Sequence, residues 1–183
     1  MKLPFFSCLI IWAFINYVAA QDHQAWVAEI HQIRDDIQAR LAACDTLTKS
    51  DETGGTTAAG YTRAYYLEGE IQLIEQLGFY EKSQSRLEFY FLRDTLCFAY
   101  ERHESYNRPV YWDQTKAQEA GDTVVFDPGQ TVLLEDRYYF RNRKIFLWID
   151  ADGQEGNLTD GTNSLIGKGL IAHCYKTKRE LEE

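Results

Sequence analysis

The residues best suited to acid–base chemistry gather around His103. Glu101, Glu104 and Asp113 lie near it in the chain, and an imidazole beside carboxylates can act as a general acid or base. Because side chains alternate along a strand, Glu101 shares a face with His103 while Glu104 points the other way. This cluster, with the long segment 107–135, indicates a secreted or periplasmic hydrolase as the alternative function.

Recognised catalytic motifs are missing from the sequence. It contains no Gly-x-Ser-x-Gly, no phosphate-binding loop and no His-Glu-x-x-His. We therefore assign no catalytic residue, and a protein that is not an enzyme is the leading prediction.

Asp150 and Asp152 open a run that begins like the calcium loop of an EF-hand. That loop needs Gly at its sixth position and Glu at its twelfth. Counted from Asp150, this chain has Glu155 and Gly161 there. The run is therefore predicted to be a polar turn after a strand, and neither a metal nor a cofactor is predicted.

The first residues have the form of an export signal. Lys2 is the only charge before Asp22, an apolar run follows it, and Val18-Ala19-Ala20 supplies small residues for cleavage. We expect residues 1–20 to be removed, which gives a periplasmic or secreted protein beginning at Gln21 with no membrane span. An uncleaved anchor is the alternative, because the uncharged run is nearly long enough to cross a bilayer.

Three cysteines follow the predicted signal: Cys44, Cys97 and Cys174. An oxidising compartment favours one disulfide among them, and their wide spacing matches no zinc motif. Cys97 lies mid-strand and is expected to point away from the first helix, so a Cys44–Cys174 bridge is the favoured pair. Asn157-Leu158-Thr159 is a potential glycosylation acceptor, which predicts an exposed loop.

Composition limits the class of partner. The chain has 183 residues, 45% hydrophobic and 26% charged, with a net charge of −9. These values are typical of a globular protein, and residues 21–183 suit a single domain. An acidic field repels phosphates, so no nucleic-acid partner is expected.

The periodicity of apolar residues predicts a helix at each end of the mature chain. From Trp26 to Cys44 they recur every three or four residues, which indicates an amphipathic helix over 23–44. Residues 46–60 have the composition of a loop. A second helix is predicted over 164–180, although Gly167 and Gly169 lower its propensity.

Between these helices, residues 61–150 alternate with a period of two and contain a weak internal repeat. Each copy has an aromatic strand, a polar turn and an apolar strand, which predicts three β-hairpins centred on residues 64–71, 89–96 and 138–145. The predicted fold class is α+β: the N-terminal helix packs on a curled six-stranded antiparallel meander, with a C-terminal helix. The segment 107–135 is an excursion over the sheet.

The repeat also predicts a row of aromatic side chains. Tyr65, Tyr90 and Tyr139 share one outward position, and strict alternation adds Ile74, Phe146 and Trp148 to their face. A large aromatic surface is rare without a role, so a peptide, glycan or partner protein is expected to bind there. The alternative is that the C-terminal helix or the excursion covers this face. The predicted binding residues are Tyr65, Tyr90, Tyr139, Trp148, Tyr111 and Trp112.

The sequence resembles two kinds of known protein. Arg137-Tyr138-Tyr139-Phe140 with the strand 145–150, together with Asn107-Arg108-Pro109, resembles small exported proteins of Bacteroidota-type bacteria that carry no assigned activity. The hairpins also distantly resemble the MORN type of repeat, whose turns favour glycine, as in Glu68-Gly69. Neither resemblance implies a functional residue. The leading prediction is an exported soluble binding or interaction module without a cofactor, and a structural envelope protein is a third interpretation.

Overall fold

A computed structural model describes residues 6–51 and 59–183. The chain divides into two units, Met1–Ala39 and Arg40–Glu183. The elements in chain order are α1 (Phe6–Arg40), a 3₁₀ turn (Leu41–Ala43), β1 (Asp45–Asp51), β2 (Ala59–Leu67), β3 (Glu70–Tyr80), β4 (Ser83–Leu92), β5 (Thr95–Ser105), α2 (Gln114–Glu119), a 3₁₀ turn (Pro128–Gln130), β6 (Val132–Arg141), β7 (Lys144–Ile149) and α3 (Gly161–Glu182).

Helix α1 accounts for the first unit. The helix predicted over 23–44 is confirmed as far as Arg40, and its last turn is the 3₁₀ turn Leu41–Ala43. Within residues 6–51 and 59–183, none of the helices combines the length and apolarity needed to cross a bilayer. Cleavage after Ala20 and the packing of α1 on the sheet stay predictions.

The second unit holds an open antiparallel sheet whose strands follow chain order from β1 to β7. The predicted meander is confirmed, but it has seven strands instead of six. The extra strand is β1, which pairs with β2 from Asp45↔Tyr66 to Asp51↔Gly60. The loop predicted over 46–60 was therefore wrong for its first residues, because β-branched threonines suit a polar edge strand. Residues 52–58 lie outside the described residues.

The three predicted hairpins are β2–β3, β4–β5 and β6–β7. Each closes through two residues with positive φ, which is the type I′ geometry that matches the twist of paired strands. The turn pairs are Glu68-Gly69, Arg93-Asp94 and Asn142-Arg143. The internal repeat is therefore a repeat of backbone conformation, although glycine occupies only the first of these turns.

Each hairpin also carries a register shift just after its turn. The pairing passes over one residue on the returning strand: Gln72, Cys97 or Phe146. An extra residue of this kind reverses the face that all later residues of the strand occupy. Residues that strict alternation assigns to one side of the sheet therefore lie on the other.

Helix α3 packs on one face of the sheet, which we call the helix face. Its buried core residues are Ala64, Ile71, Ile74, Phe89, Phe91, Leu96, Ala99, Tyr138, Phe140, Cys174 and Leu181. Trp148 packs against this core too, so Ile74 and Trp148 lie on the helix face, contrary to strict alternation. Leu73, Phe98 and Leu147 pair in one row with the three repeat tyrosines on the opposite face.

The predicted disulfide between Cys44 and Cys174 is wrong, because the cysteines of the second unit are free thiols. Cys174 is a residue of α3 and is buried in the core of the helix face, whereas Cys44 follows the 3₁₀ turn with its Sγ 3.5 Å from the carbonyl of Arg40. Cys97 is a bulge residue whose thiol contacts the carbonyl of Tyr90 at 3.3 Å. Burial raises the pKa of Cys97 and of Cys174 to about 12, so both thiols are neutral.

Candidate functional site

The structure brings Tyr65, Tyr90 and Tyr139 into one row, as the repeat predicted, but it buries two of them. Tyr90 is 1% and Tyr139 is 3% exposed. Both rings contact Phe98, with centroids 5.6 and 5.0 Å away. These two tyrosines are therefore packing residues of the opposite face, and their rings are not presented to a ligand.

Trp148 is separated from Tyr139 by the thickness of the sheet. Its ring stacks on Tyr138 with centroids 5.9 Å apart, and its Nε1 donates to Asp136 at 2.7 Å. The amide of Gly156 donates to the Trp148 carbonyl at 2.9 Å. The bulge at Phe146 causes this placement, and it packs Trp148 against the core of the helix face.

Tyr111 does line a surface groove, which lies at the end of the sheet beside the β3–β4 turn. The groove has a volume of about 370 Å³. We call it the aromatic groove, and its lining residues are Ala59, Phe79, Tyr80, Glu81, Ser83, Gln84, Tyr106, Val110 and Tyr111. Tyr80 is 51% and Tyr111 is 61% exposed, whereas Trp112 is half-buried and lies outside this lining. The sequence interpretation missed Tyr80, although two aromatic residues in succession before a turn were a signal.

The wall that carries Tyr111 is held by polar contacts within the excursion. Asn107 donates from Nδ2 to the carbonyl of Val125 and accepts from the amide of Asp127, both at 3.0 Å. Arg108 donates to Asp122 at 2.6 Å. These contacts join residues 107 and 108 to the segment 122–127, so the groove wall is held in a defined conformation.

We expect Asn107→Ala to loosen this wall. The change leaves two backbone groups without partners, which costs about 1–2 kcal/mol of unfolding free energy. The measurement is urea unfolding together with limited proteolysis of the segment 107–131. The control is Gln118→Ala on the exposed side of α2. Parental stability and protease resistance in Asn107→Ala would contradict this role of Asn107 in holding the groove wall.

On strands β3, β4 and β5 the opposite face also carries charged side chains, which we call the polar ladder. Its members are Glu75, Glu88, Arg86, Arg102 and Glu104. Like charges face each other across the strands, which is unfavourable. Neighbouring rows compensate, because Arg86 lies 3.6 Å from Glu75 and 3.5 Å from Glu88, and Arg102 pairs with Glu104 at 2.6 Å.

Glu88, a member of the polar ladder, is expected to make the unfolding free energy of the chain depend on pH. Burial raises its pKa above the ordinary value, although the Tyr90 hydroxyl donates to it at 2.6 Å and Arg86 lies nearby. An acid that binds its proton more tightly in the folded state contributes stability at low pH. That contribution is lost as pH rises through the folded-state pKa.

Glu88→Gln is therefore expected to gain stability relative to the parent protein as pH rises from about 4 to about 7. Urea unfolding at both pH values measures the difference. Glu70→Gln, which removes an exposed carboxylate, gives the baseline. An unchanged difference between Glu88→Gln and the parent protein would contradict the assignment.

The structure does not assemble the acid–base cluster considered for a hydrolase. His103 pairs across the strands with Ser85, and Glu101 accepts from the Tyr138 hydroxyl at 3.4 Å. Asp113 caps α2 by accepting from the Lys116 amide at 3.0 Å. Among the described residues, His103 forms no hydrogen bond to a carboxylate.

Asp150 uses its carboxylate within its own turn, accepting from the amides of Asp152 at 3.0 Å and Gln154 at 2.8 Å. In the part of the chain that the structure describes, no group of three histidine, cysteine or acidic side chains could hold a metal ion. Asn157 is exposed, and its Oδ1 accepts from the Thr159 hydroxyl at 2.6 Å.

Comparison of the chain with protein-family models, with curated proteins and with solved structures found no match. The function proposed below therefore depends on the geometry of the groove and on the predicted export signal.

Proposed function

We propose that the protein is an exported binding module whose ligand enters the aromatic groove. One observation carries the proposal: Tyr80 and Tyr111 stay largely exposed beside Val110 and Phe79. A concave surface lined by aromatic residues with a few polar groups is the usual form of a ligand site, and exposed apolar clusters mark binding surfaces. Export follows from the predicted signal over 1–20, and no cofactor takes part.

The cost of holding these side chains in water supports the same proposal. Ordering the excursion consumes conformational entropy, and burial of its tip would recover part of that cost. Instead, the contacts of Asn107 and Arg108 hold the segment while Val110 and Tyr111 stay exposed. A bound ligand would bury these side chains and recover the hydrophobic free energy.

The test is a screen of the purified mature chain against arrays of glycans and peptides. Tyr80→Ala and Tyr111→Ala are expected to weaken retention of a captured ligand by about tenfold or more, because aromatic anchors dominate binding energy. Their unfolding free energies are expected to stay within about 0.5 kcal/mol of the parent protein, as for surface changes.

The matched control is Leu165→Ala, since Leu165 is 63% exposed on α3 outside the groove. Its retention of the ligand should equal that of the parent protein. Capture that neither tyrosine substitution affects would contradict a site in the groove.

A further inference from the structure

We infer that the aromatic groove binds a peptide through a lysine or arginine side chain. The inference rests on the proposed function and names the class of ligand. Among the groove's lining residues, Glu81 is the one charged side chain, and it is acidic. Lys82 in the same turn is exposed and lies outside the lining.

Lys82 follows Glu81 in the turn but lies outside the lining, so Glu81 is the charged side chain that a ligand in the groove meets. Tyr106 in the groove wall donates from its hydroxyl to Glu104 at 3.0 Å, and Arg102 is paired with the same carboxylate. The net charge of the whole chain is −9. An acidic protein attracts cations and repels anions over its surface, so the lining carboxylate of Glu81 and the overall charge both favour a basic group.

The aromatic rings that line the groove also favour a basic side chain. Phe79, Tyr80, Tyr106 and Tyr111 line one groove, and the face of an aromatic ring attracts an ammonium or guanidinium ion. The apolar Ala59 complements this, because lysine and arginine pack long aliphatic stems against apolar surface and keep the charge at the tip. The volume of about 370 Å³ has room for one such side chain and its neighbours.

Charge and polarity disfavour other ligands. The uncharged polar lining side chains are Ser83, Gln84 and the tyrosines, which offer few partners for the many hydroxyls of a glycan. An anionic ligand would meet Glu81 without a lining cation to pair with it. A basic side chain therefore finds more favourable contacts with the lining residues than a glycan or an anion does.

The experiment compares three probes by NMR titration of the mature chain. They are an N-acetylated, C-amidated alanine pentapeptide with lysine at its centre, the same peptide with glutamine there, and maltopentaose. The lysine peptide is expected to bind about fivefold more tightly than the glutamine peptide at low salt, with an advantage that shrinks at high salt.

Glu81→Gln should remove most of the tighter binding of the lysine peptide. Glu119 is an exposed carboxylate on α2, and Glu119→Gln should keep that tighter binding. Equal binding of the two peptides, tighter binding of maltopentaose, or no perturbation at Tyr80 and Tyr111 by the lysine peptide would each overturn the inference. The proposed function is judged separately by the array screen and its tyrosine variants. The two can therefore fail independently.

Discussion

Replacing Gly167 by alanine is expected to destabilise the folded chain, although alanine is the better helix former. A Cβ at Gly167 would lie 2.3 Å from Cγ2 and 2.9 Å from Cβ of Ile145. The branch of Ile145 sits next to its backbone, so it cannot turn aside without moving β7. Overpacking of this kind costs about 1–3 kcal/mol, which exceeds the gain of about 1 kcal/mol in helix propensity.

Gly169 provides a control in the same helix. A Cβ there would meet nothing within 4 Å, so Gly169→Ala is expected to stabilise the chain by up to about 1 kcal/mol. Urea unfolding of both variants measures the sign. If Gly167→Ala stabilised as much as Gly169→Ala, the close approach of α3 to β7 would be contradicted.

This pair shows what the sequence could not distinguish. Both glycines lower the helical propensity of 164–180 equally, yet one permits a close contact and the other does not. Propensity describes a residue in its own helix, whereas contact with Ile145 depends on where α3 crosses the sheet. The helix itself was predictable from its apolar spacing, and only its tertiary contact was hidden.

The faces of the sheet show a similar limit. The aromatic strands and polar turns predicted three hairpins correctly, because local composition determines a two-residue turn. The bulges at Gln72, Cys97 and Phe146 left no clear mark in composition. Each one shifts the alternation by a single residue, so Trp148 was assigned to the face of Tyr139 instead of that of Tyr138.

The groove combines predictable and unpredictable parts. Tyr111 was identified because the segment 107–135 is long and aromatic. Tyr80 and Tyr106 were missed because they meet Tyr111 only when the β3–β4 turn lies beside the excursion. The hydrogen bonds by which Asn107 holds the groove wall were also not predictable, since its partners Val125 and Asp127 are distant in the chain.

Trp148→Ala is expected to lose about 2–4 kcal/mol of unfolding free energy, because it removes a large ring that packs against the core. Trp148→Phe keeps an aromatic ring against Tyr138 but loses the hydrogen bond to Asp136, which costs about 1 kcal/mol. Gly156→Ala should be harmful as well, by about 1–3 kcal/mol, since its Cβ would lie 2.1 Å from the Trp148 ring.

Ligand retention separates this structural role from binding. Trp148 packs against the helix-face core and is not among the lining residues of the aromatic groove. Trp148→Phe should therefore retain the ligand found in the array screen as the parent protein does, while Tyr111→Ala loses it. Near-native stability of Trp148→Ala together with lost retention would return the site to Trp148 and exclude the aromatic groove. Because the two substitutions are expected to change different measured quantities, one set of unfolding and retention experiments decides between Trp148 and the aromatic groove as the ligand site.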